Sequence, residues 1–315
     1  MAISARRATT AHTSAAKAQR AGEKWVPWLL LAPTLVIMNV VGIYPLLHSL
    51  YISFTGAKPT DPNVHQGWVG LKNYAEVVGD GQFWHAALVT GGFTALSVIS
   101  SLVLAVLMAI LFNRALPGFV LMRSLILIPM LITPIAVGLI WRIMMMPELG
   151  VLNYLFGLVG LGPFQWGSSR GSALASVVLV DVWQWTPFMF IIIFAGLKSL
   201  PRSPFESAQI DGASGWQTFW QVTVPMLKPV IVIAVLLRLI DAIRTYDTIY
   251  IITRGGPDFT TDVVSIYLQR VNFRFFDLGY GSALSWVTML LILAVVLVFV
   301  NLTGFLRIVN EKEAR

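Results

Sequence analysis

The chain has 315 residues, of which 57% are hydrophobic and 12% are charged, and its mean hydropathy is +0.75. These values lie far on the apolar side of soluble domains and predict an integral membrane protein. The net charge of +7 does not indicate nucleic-acid binding, because the basic residues flank hydrophobic segments and form no stripe. Without cysteine there is no disulfide or thiolate site, and the scattered His12, His48, His65 and His85 lack metal-ligand spacing, so we expect no metal.

The first 24 residues differ from the rest of the chain. Residues 1–24 are largely Ala, Ser, Thr and basic residues, which predicts a flexible cytoplasmic tail. The apolar run that follows, from Trp25 to about Phe54, is longer than the core of a signal peptide, so we interpret it as an uncleaved membrane span. Residues 25–315 then form one transmembrane domain.

Hydropathy predicts an all-α integral membrane fold with six transmembrane helices, since a helix needs about 20 apolar residues to cross a bilayer. The expected spans are residues 26–53, 86–112, 119–145, 173–197, 226–252 and 283–306. If the N-terminus is inside, the inner segments carry nearly twice as many Lys and Arg residues as the outer segments. This asymmetry predicts that both termini are cytoplasmic. Prolines within the spans, at Pro45, Pro129, Pro134 and Pro187, predict kinks.

The predicted outer loops are long. They cover residues 54–85, 146–172 and 253–282 and are rich in Gly, Pro, Trp and Asn. Loops of this length indicate a docking surface for a partner outside the membrane, with simple connectors as the alternative.

Neither catalysis nor nucleotide binding is indicated by a motif. "GSSRG" at 167–171 fits a hydrolase nucleophile elbow, but it lies in a polar connector between two spans and has no strand before it. We therefore expect no catalytic residue. The chain has no G-x-x-x-x-G-K-[ST] phosphate loop, so an ATP-driven function would need another subunit.

Two predicted spans carry polar side chains at helical spacing. In "LVDVWQWTPFMF" one face holds Asp181, Gln184, Trp185 and Phe188, and in "LLRLIDAIRTYDTIY" one face holds Arg238, Asp241, Ala242 and Thr245. A charge at the bilayer centre costs at least about 2.5 to 3.5 kcal/mol on insertion scales, so we expect these faces to line a bundle interior or a wet cavity.

The chemistry of these faces leaves two ligand classes open. Carboxylates, an amide and aromatic rings suit a polyhydroxylated ligand, whose hydroxyls donate to carboxylates and whose C–H faces pack on rings. The arginines, Arg238 and Arg244, could instead bind an anionic substrate. The plainer alternatives are an ion pair of Asp241 with either arginine in its own helix, and core packing for Trp185 and Phe188.

The segment 199–225 predicts two short helices on the cytoplasmic side. Ser203 is placed to cap the first, with Pro204 in its first turn and Glu206 at the capping-box position. Asp211-Gly212 predicts a turn, and the second helix is expected to end before Pro225. Such a hairpin, with small and acidic side chains, would fit a cleft on another protein; a structured loop without a partner is the alternative.

The hairpin carries a family resemblance. "ESAQIDGASGWQTFWQVTVPMLKP" resembles the EAA motif of permease subunits of bacterial ABC importers, with Ser207 in place of the first Ala. The resemblance covers nearly the whole chain after the tail, and four segments are similar to the carbohydrate-uptake branch, which includes maltose, trehalose, polyol and glycerol-phosphate permeases. They are "WVGLKNYAEVVGDGQFWHAALVTGGFT" (68–94), "ILIPMLITPIAVGLIWRIMM" (126–145), "AGLKSLPRSPFESAQIDGAS" (195–214) and "YDTIYIITRGGPDFTTD" (246–262). The resemblance implies a type I ABC importer permease fold in the bacterial inner membrane.

The resemblance also implies partners. They are a second permease subunit, expected to be a different chain, two ABC ATPase subunits, an extracytoplasmic substrate-binding protein and membrane lipid. This chain would bind no cofactor, and ATP and Mg would bind to the ATPase subunits. Residues 198–225 would be the coupling loop, in which Glu206, Ala208, Asp211 and Gly212 dock into the ATPase.

By the same resemblance, the substrate is held by the spans before and after this loop. The matching positions are Gln184, Trp185, Phe188, Arg238, Asp241, Ala242 and Thr245, to which the spacing argument adds Asp181. A neutral sugar, and an anionic sugar or glycerol phosphate, both remain open as substrates. From other classes, the alternatives are a standalone secondary transporter with Asp181, Asp241 and Arg238 as an ion relay, and a membrane enzyme, for which no catalytic constellation is present.

Overall fold

The structure, a computed structural model, describes residues 27–61, 66–113 and 118–305, so the expected tail at 1–24 lies outside the described residues. The described chain is helical apart from turns, loops and one isolated bridge between Thr55 and Trp68. Four of its helices are long and apolar enough to cross a membrane. They are α1 (Pro27–Ser53), α3 (Gly81–Phe112), α8 (Arg170–Lys198) and α14 (Leu278–Thr303).

The other described α-helices are shorter. They are α2 (Lys72–Gly79), α4 (Phe119–Ile126), α5 (Ile128–Leu131), α6 (Pro134–Met144), α7 (Val151–Gly157), α9 (Ser203–Ile210), α10 (Gly215–Thr218), α11 (Val224–Ile243), α12 (Asp247–Thr253) and α13 (Val264–Phe273). α2, α7 and α13 lie in the segments that the sequence presents as outer loops.

Two of the expected spans are divided into shorter helices. The segment 119–145 forms α4, α5 and α6, and the chain is extended at Thr133, directly before Pro134, because a proline disfavours helical backbone in the preceding residue. The segment 226–252 is divided between α11 and α12 at residues 244–246, where no proline or glycine stands. Proline therefore accounts for the break at Thr133 and not for the break at 244–246.

At two places a π turn ends two residues before a proline. In α1 the π turn Met38–Ile43 precedes Pro45, and after α10 the π turn Phe219–Thr223 precedes Pro225. A wider turn relieves the clash between the proline ring and the carbonyl group four residues earlier. The expectation that the second hairpin helix ends before Pro225 is therefore wrong, and the chain is helical without interruption over residues 215–243.

α3, α8 and α11 pack side by side in the interior. α3 presents small residues at every fourth position, which are Ser97, Ser101, Ala105 and Ala109, and all four are buried. The two alanines join an apolar cluster with Met189, Phe190 and Ile193 of α8 and Leu227 and Ala234 of α11. These small residues allow the helices to approach closely.

A second apolar cluster forms a packed body at the ends of α3 and α14 that begin in the predicted outer loops. It joins α2, α3, α13 and α14 through Val77, Phe83, Ala86, Val264, Tyr267, Val271, Ala283 and Leu284. α3 begins at Gly81 and α14 at Leu278, five residues before the expected spans, because their first turns belong to this body.

Candidate functional site

An ion triad of Asp181, Arg238 and Asp241 joins α8 to α11. Arg238 is 0% exposed, and its Nη2 donates to the Asp181 carboxylate, which is 2% exposed, while its Nη1 donates to Asp241 Oδ2 at 2.7 Å. Ser97 of α3 completes the cluster, because its hydroxyl donates to Asp181 and accepts from Arg238 Nη2 at 3.1 Å. Two carboxylates therefore share one guanidinium in the triad.

The triad contains one of the two ion pairs that the sequence left as alternatives, that of Asp241 with Arg238. Arg238 pairs with Asp241 within its own helix, and it also crosses to Asp181 on α8. The role of Ser97 was not identified from the sequence. The available signal was the stripe of small residues in α3, since serine in such a stripe often bonds across helices.

The remaining predicted residues divide by exposure. Gln184 is buried, and its Nε2 donates to the carbonyl of Ile132 at 3.0 Å, at the break between α5 and α6. Ala242 is also buried. The ring of Trp185 lies 5.7 Å from the Arg238 guanidinium and packs edge-on against Phe188.

Four of the eight residues keep accessible surface, and we call them the site face: Trp185, Phe188, Asp241 and Thr245. Asp241 is the charged member, with 48% of its side chain exposed. The site face therefore presents two aromatic rings, a hydroxyl and a carboxylate, with the guanidinium of Arg238 buried behind them.

The predicted coupling residues lie on an exposed projection of the chain. α9, the turn 211–214 and α10 form the α9–α10 hairpin, in which no residue is buried. Glu206, Asp211 and Gly212 are exposed, and Ala208 is partly exposed. Three large apolar side chains are also exposed, at 86% for Ile210, 71% for Trp216 and 52% for Trp220.

The N-terminal capping of the two hairpin helices differs from the expectation. Ser203 does not cap α9, because Arg202 already has helical backbone angles and Ser203 is the first helical residue. The capping box stands instead on α10, where Ser214 and Gln217 bond each other's backbone N–H groups. The predicted turn at Asp211-Gly212 is present.

Gly212 ends α9 with a left-handed backbone (φ +74°). The N–H of Gly212 donates to Gln209 and that of Ala213 donates to Ala208, at 3.1 and 2.9 Å. This is the hydrogen-bond pattern of a glycine-terminated helix, in which a side chain at the left-handed position would be strained. Gly212 and the carbonyl of Ala208 therefore fix the angle of the hairpin.

The cluster around α13 contains buried and partly buried polar networks that the sequence did not reveal. Burial raises the pKa of Asp80, but donors from Tyr267, Tyr280 and the backbone of Gln82 and Phe83 outweigh it and hold this pKa below its ordinary value. Burial, followed by the bond to Asp80, raises the pKa of Tyr267 to about 12. The pair therefore favours an ionised Asp80 beside a neutral Tyr267.

The loop between α12 and α13 is held by a second network. Asp262 is 0% exposed, pairs with Arg270 and accepts from Gln82 Nε2 at 2.9 Å. Between α12 and α13, the residues Arg254, Asp258 and Phe259 have left-handed backbone with φ between 48° and 60°. Such conformations persist only where their surroundings over-determine them. Phe259 keeps 49% of its surface exposed, so this loop presents an aromatic ring at the surface of the protein.

The sequence is similar to known transport proteins over most of its length. Residues 82–312 match the family described as "Binding-protein-dependent transport system inner membrane component". The chain is 40% identical over 270 residues to the probable ABC transporter permease protein y4oQ of Sinorhizobium fredii, covering 86% of this chain and 87% of that protein. It is 34% identical over 280 residues to the trehalose/maltose transport system permease protein MalF of Thermococcus litoralis, covering 89% and 94%.

A third relative and a solved structure extend the comparison. The sulfoquinovosyl glycerol transport system permease protein SmoG of Agrobacterium fabrum is 33% identical over 292 residues, covering 93% of this chain and 92% of that protein. A chain of a bacterial alginate ABC transporter, solved in complex with an alginate pentasaccharide-bound periplasmic protein, shares the fold. Its TM-score is 0.77 at 20% identity, covering 90% of this chain and 96% of that one. The protein is thus a multi-pass membrane protein and belongs to the family of inner membrane components of binding-protein-dependent transport systems.

Proposed function

We propose that the chain is the non-catalytic, membrane-spanning permease subunit of an ATP-driven, binding-protein-dependent sugar importer in the bacterial inner membrane. The family and the relatives named for trehalose and maltose transport support this function. The chain would form part of the translocation path, while ATP and Mg bind to separate ATPase subunits. Its partners would be a second, different permease, two ATPase subunits and the extracytoplasmic binding protein.

The proposed topology has six crossings with both termini in the cytoplasm. The four long helices supply four crossings, and the broken segments α4–α6 and α11–α12 supply the other two. The Lys and Arg asymmetry supports this orientation. It places the α9–α10 hairpin inside and the rigid α12–α13 loop outside, facing the binding protein.

The exposed α9–α10 hairpin carries the proposal. The α9–α10 hairpin and the π turn that follows it leave Ile210, Trp216 and Trp220 exposed next to Glu206 and Asp211, which is the composition of a docking surface. An ATPase cleft that covers these apolar side chains would gain their burial, and the two carboxylates would fix its orientation. Movement of the ATPase would then reach the membrane domain through this hairpin as a rigid-body shift.

The site face is the proposed substrate contact within the membrane. Asp241 accepts hydroxyl hydrogen bonds, and the rings of Trp185 and Phe188 pack against the C–H face of a sugar. Asp181, Gln184, Arg238 and Ala242 would support this face from behind, because they are buried.

Co-purification of the tagged chain from native membranes in mild detergent tests the proposal. We expect an ABC ATPase and a second permease to be recovered with the chain. In proteoliposomes with the binding protein, that complex should take up a sugar only when ATP is supplied. Recovery of the chain alone, still active in transport, would refute the importer and favour a secondary transporter.

A further inference from the structure

The charge of the ion triad bears on the class of sugar that the site face accepts. The relatives are named for substrates of different charge, since trehalose and maltose are neutral, whereas sulfoquinovosyl glycerol carries an anionic sulfonate. In the sequence alone, Arg238 and Arg244 make an anionic substrate plausible. The contacts of each arginine decide between the two classes.

Arg238 is not available to a ligand. Its Nη2 is bonded to Asp181 and Ser97, and its Nη1 is bonded to Asp241. Its Nε has no hydrogen-bond partner among the described residues, but the side chain is 0% exposed, so no ligand reaches that atom. The positive charge of Arg238 is thus buried and paired with two carboxylates.

Arg244 opens onto a groove that none of the four site-face residues lines. It is exposed and lines an apolar groove between α3, α11, α13 and α14, with Trp84, Thr94 and Leu291 among its neighbours. Neither Trp185 nor Phe188 lines this groove. Among the described residues, the charged side chain that the site face exposes is therefore the carboxylate of Asp241.

We propose that the site face selects neutral polyhydroxylated sugars and that Asp241 determines this specificity by repelling anionic ones. The proposal rests on the importer function proposed above. One oxygen of Asp241 is bonded to Arg238, which leaves the other to accept sugar hydroxyls. A phosphate, sulfonate or carboxylate at the same place would meet the negative charge of Asp241 and a group that offers no hydrogen-bond donor.

The electrostatic potential at the site face can be measured without knowledge of the substrate. Because the chain has no cysteine, Thr245→Cys provides one reactive thiol on this face. The purified complex is treated with cationic trimethylammonioethyl or anionic sulfonatoethyl methanethiosulfonate, and modification of this chain is followed by mass spectrometry. Each rate is divided by that for 2-mercaptoethanol. We expect the cationic reagent to react about tenfold faster or more after this correction.

A second substitution assigns the potential to Asp241. In Thr245→Cys with Asp241→Asn the preference for the cationic reagent should largely disappear. Glu76→Gln in the same background is the control, because Glu76 is an exposed carboxylate that pairs with Lys72 and lies outside the site. Equal corrected rates in the parent variant, a ratio unchanged by Asp241→Asn, or no reaction with either reagent would each overturn the proposal.

A matched sugar pair tests the specificity itself. Binding of trehalose and of trehalose 6-phosphate to the complex without its binding protein is compared by saturation-transfer NMR. We expect trehalose to bind at least about tenfold more tightly, and Asp241→Asn to reduce that ratio. Binding of the phosphate ester at least as tight as that of trehalose would overturn the proposal. Failure of the importer function would appear separately, as loss of ATP-dependent uptake for every sugar.

Discussion

Arg238 illustrates what an interior charge requires from its neighbours. A guanidinium that is 0% exposed is stable only when carboxylates and hydroxyls replace the water that it has lost, and Asp181, Asp241 and Ser97 supply these groups. Each helix of the α3, α8 and α11 core contributes at least one member. The contact is therefore a link between helices as well as a charge pair.

Replacement of Arg238 by methionine tests this link. In Arg238→Met the carboxylate of Asp181 remains buried without its cation, so we expect the free energy of unfolding to fall by about 3–5 kcal/mol. Unfolding in detergent micelles, followed by circular dichroism, measures this change. Arg244→Met is the matched control, because Arg244 is exposed and has no ion pair among the described residues. Equal effects of the two variants would contradict the argument.

Tyr267→Phe tests the bond to Asp80 through its pH dependence. The pKa of Asp80 in the folded state lies below its ordinary value, so its ionised bonds stabilise the fold above the ordinary pKa of about 3.9 and are lost as the pH falls. Loss of one donor should lower stability at neutral pH by about 1–2 kcal/mol. The difference from wild type should shrink below pH 4.

Thermal unfolding between pH 3 and pH 7 gives the measurement. Tyr154→Phe serves as the control, since Tyr154 is 67% exposed and should tolerate the loss of its hydroxyl. A difference between wild type and Tyr267→Phe that stays constant over this pH range would show that the tyrosine acts without the charge of Asp80.

At the scale of elements, the α9–α10 hairpin depends on one backbone angle. Gly212→Pro removes the N–H that bonds to Gln209 and fixes φ near −65°, whereas Gly212 requires +74°. We expect the hairpin to change its angle, with the ATPase lost from the complex or hydrolysing ATP without sugar uptake. The ratio of transported sugar to ATP hydrolysed measures the effect.

Gly215→Pro is the matched control for this substitution. Gly215 is the first residue of α10, and Ser214 before it is extended, so proline fits there without loss of a helical bond. We expect coupling in Gly215→Pro to equal that of wild type. A fully coupled Gly212→Pro variant would exclude a docking role for the hairpin.

A second glycine sets the distance between two helices. A Cβ atom at Gly196 of α8 would lie 2.7 Å from one methyl group of Val230 on α11 and 2.9 Å from the other, so no rotation of the valine relieves the clash. Gly196→Ala should therefore lower the free energy of unfolding by about 1–3 kcal/mol. We expect Val230→Ala to restore part of this loss when the two are combined.

Gly92→Ala is the corresponding control in α3. Apart from the neighbouring backbone of its own helix, no atom lies within 4 Å of the added methyl group at this position. Alanine in an open helical position is neutral or stabilises by up to about 1 kcal/mol. Differential scanning calorimetry is applied to Gly196→Ala, Val230→Ala, their combination and Gly92→Ala. The comparison distinguishes crowding from a general effect of substitution. Equal loss in Gly92→Ala and Gly196→Ala would contradict the crowding argument.

The parts of the structure that follow from local sequence were predictable, and those that depend on distant packing were not. Pro134 shows the break in the third expected span, but the break at 244–246 follows from packing, without a local signal. The sequence placed Asp181 and Arg238 on polar faces. It did not show that they meet, because their contact depends on how α8 packs on α11.

The orientation of the whole molecule in the membrane can be tested with single cysteines, because the natural chain has none. Ser207→Cys lies on the exposed hairpin and Ser168→Cys lies in an exposed turn before α8. We expect a membrane-impermeant maleimide to label Ser168→Cys in intact spheroplasts and Ser207→Cys only after permeabilisation. Labelling of both from one side would refute the proposed topology.

The uninterrupted helix over residues 215–243 makes the hairpin and the ion triad two ends of one lever. At about 1.5 Å per residue it is about 43 Å long. A tilt of about 5° around its midpoint would displace each end by about 2 Å, which exceeds the tolerance of a charge-assisted hydrogen bond. Arg238 lies about 14 Å from the midpoint, so a tilt of about 10° that starts at Trp216 would shift it by about 2 Å relative to Asp181. Pro225, accommodated by its π turn, preserves the length of this lever arm.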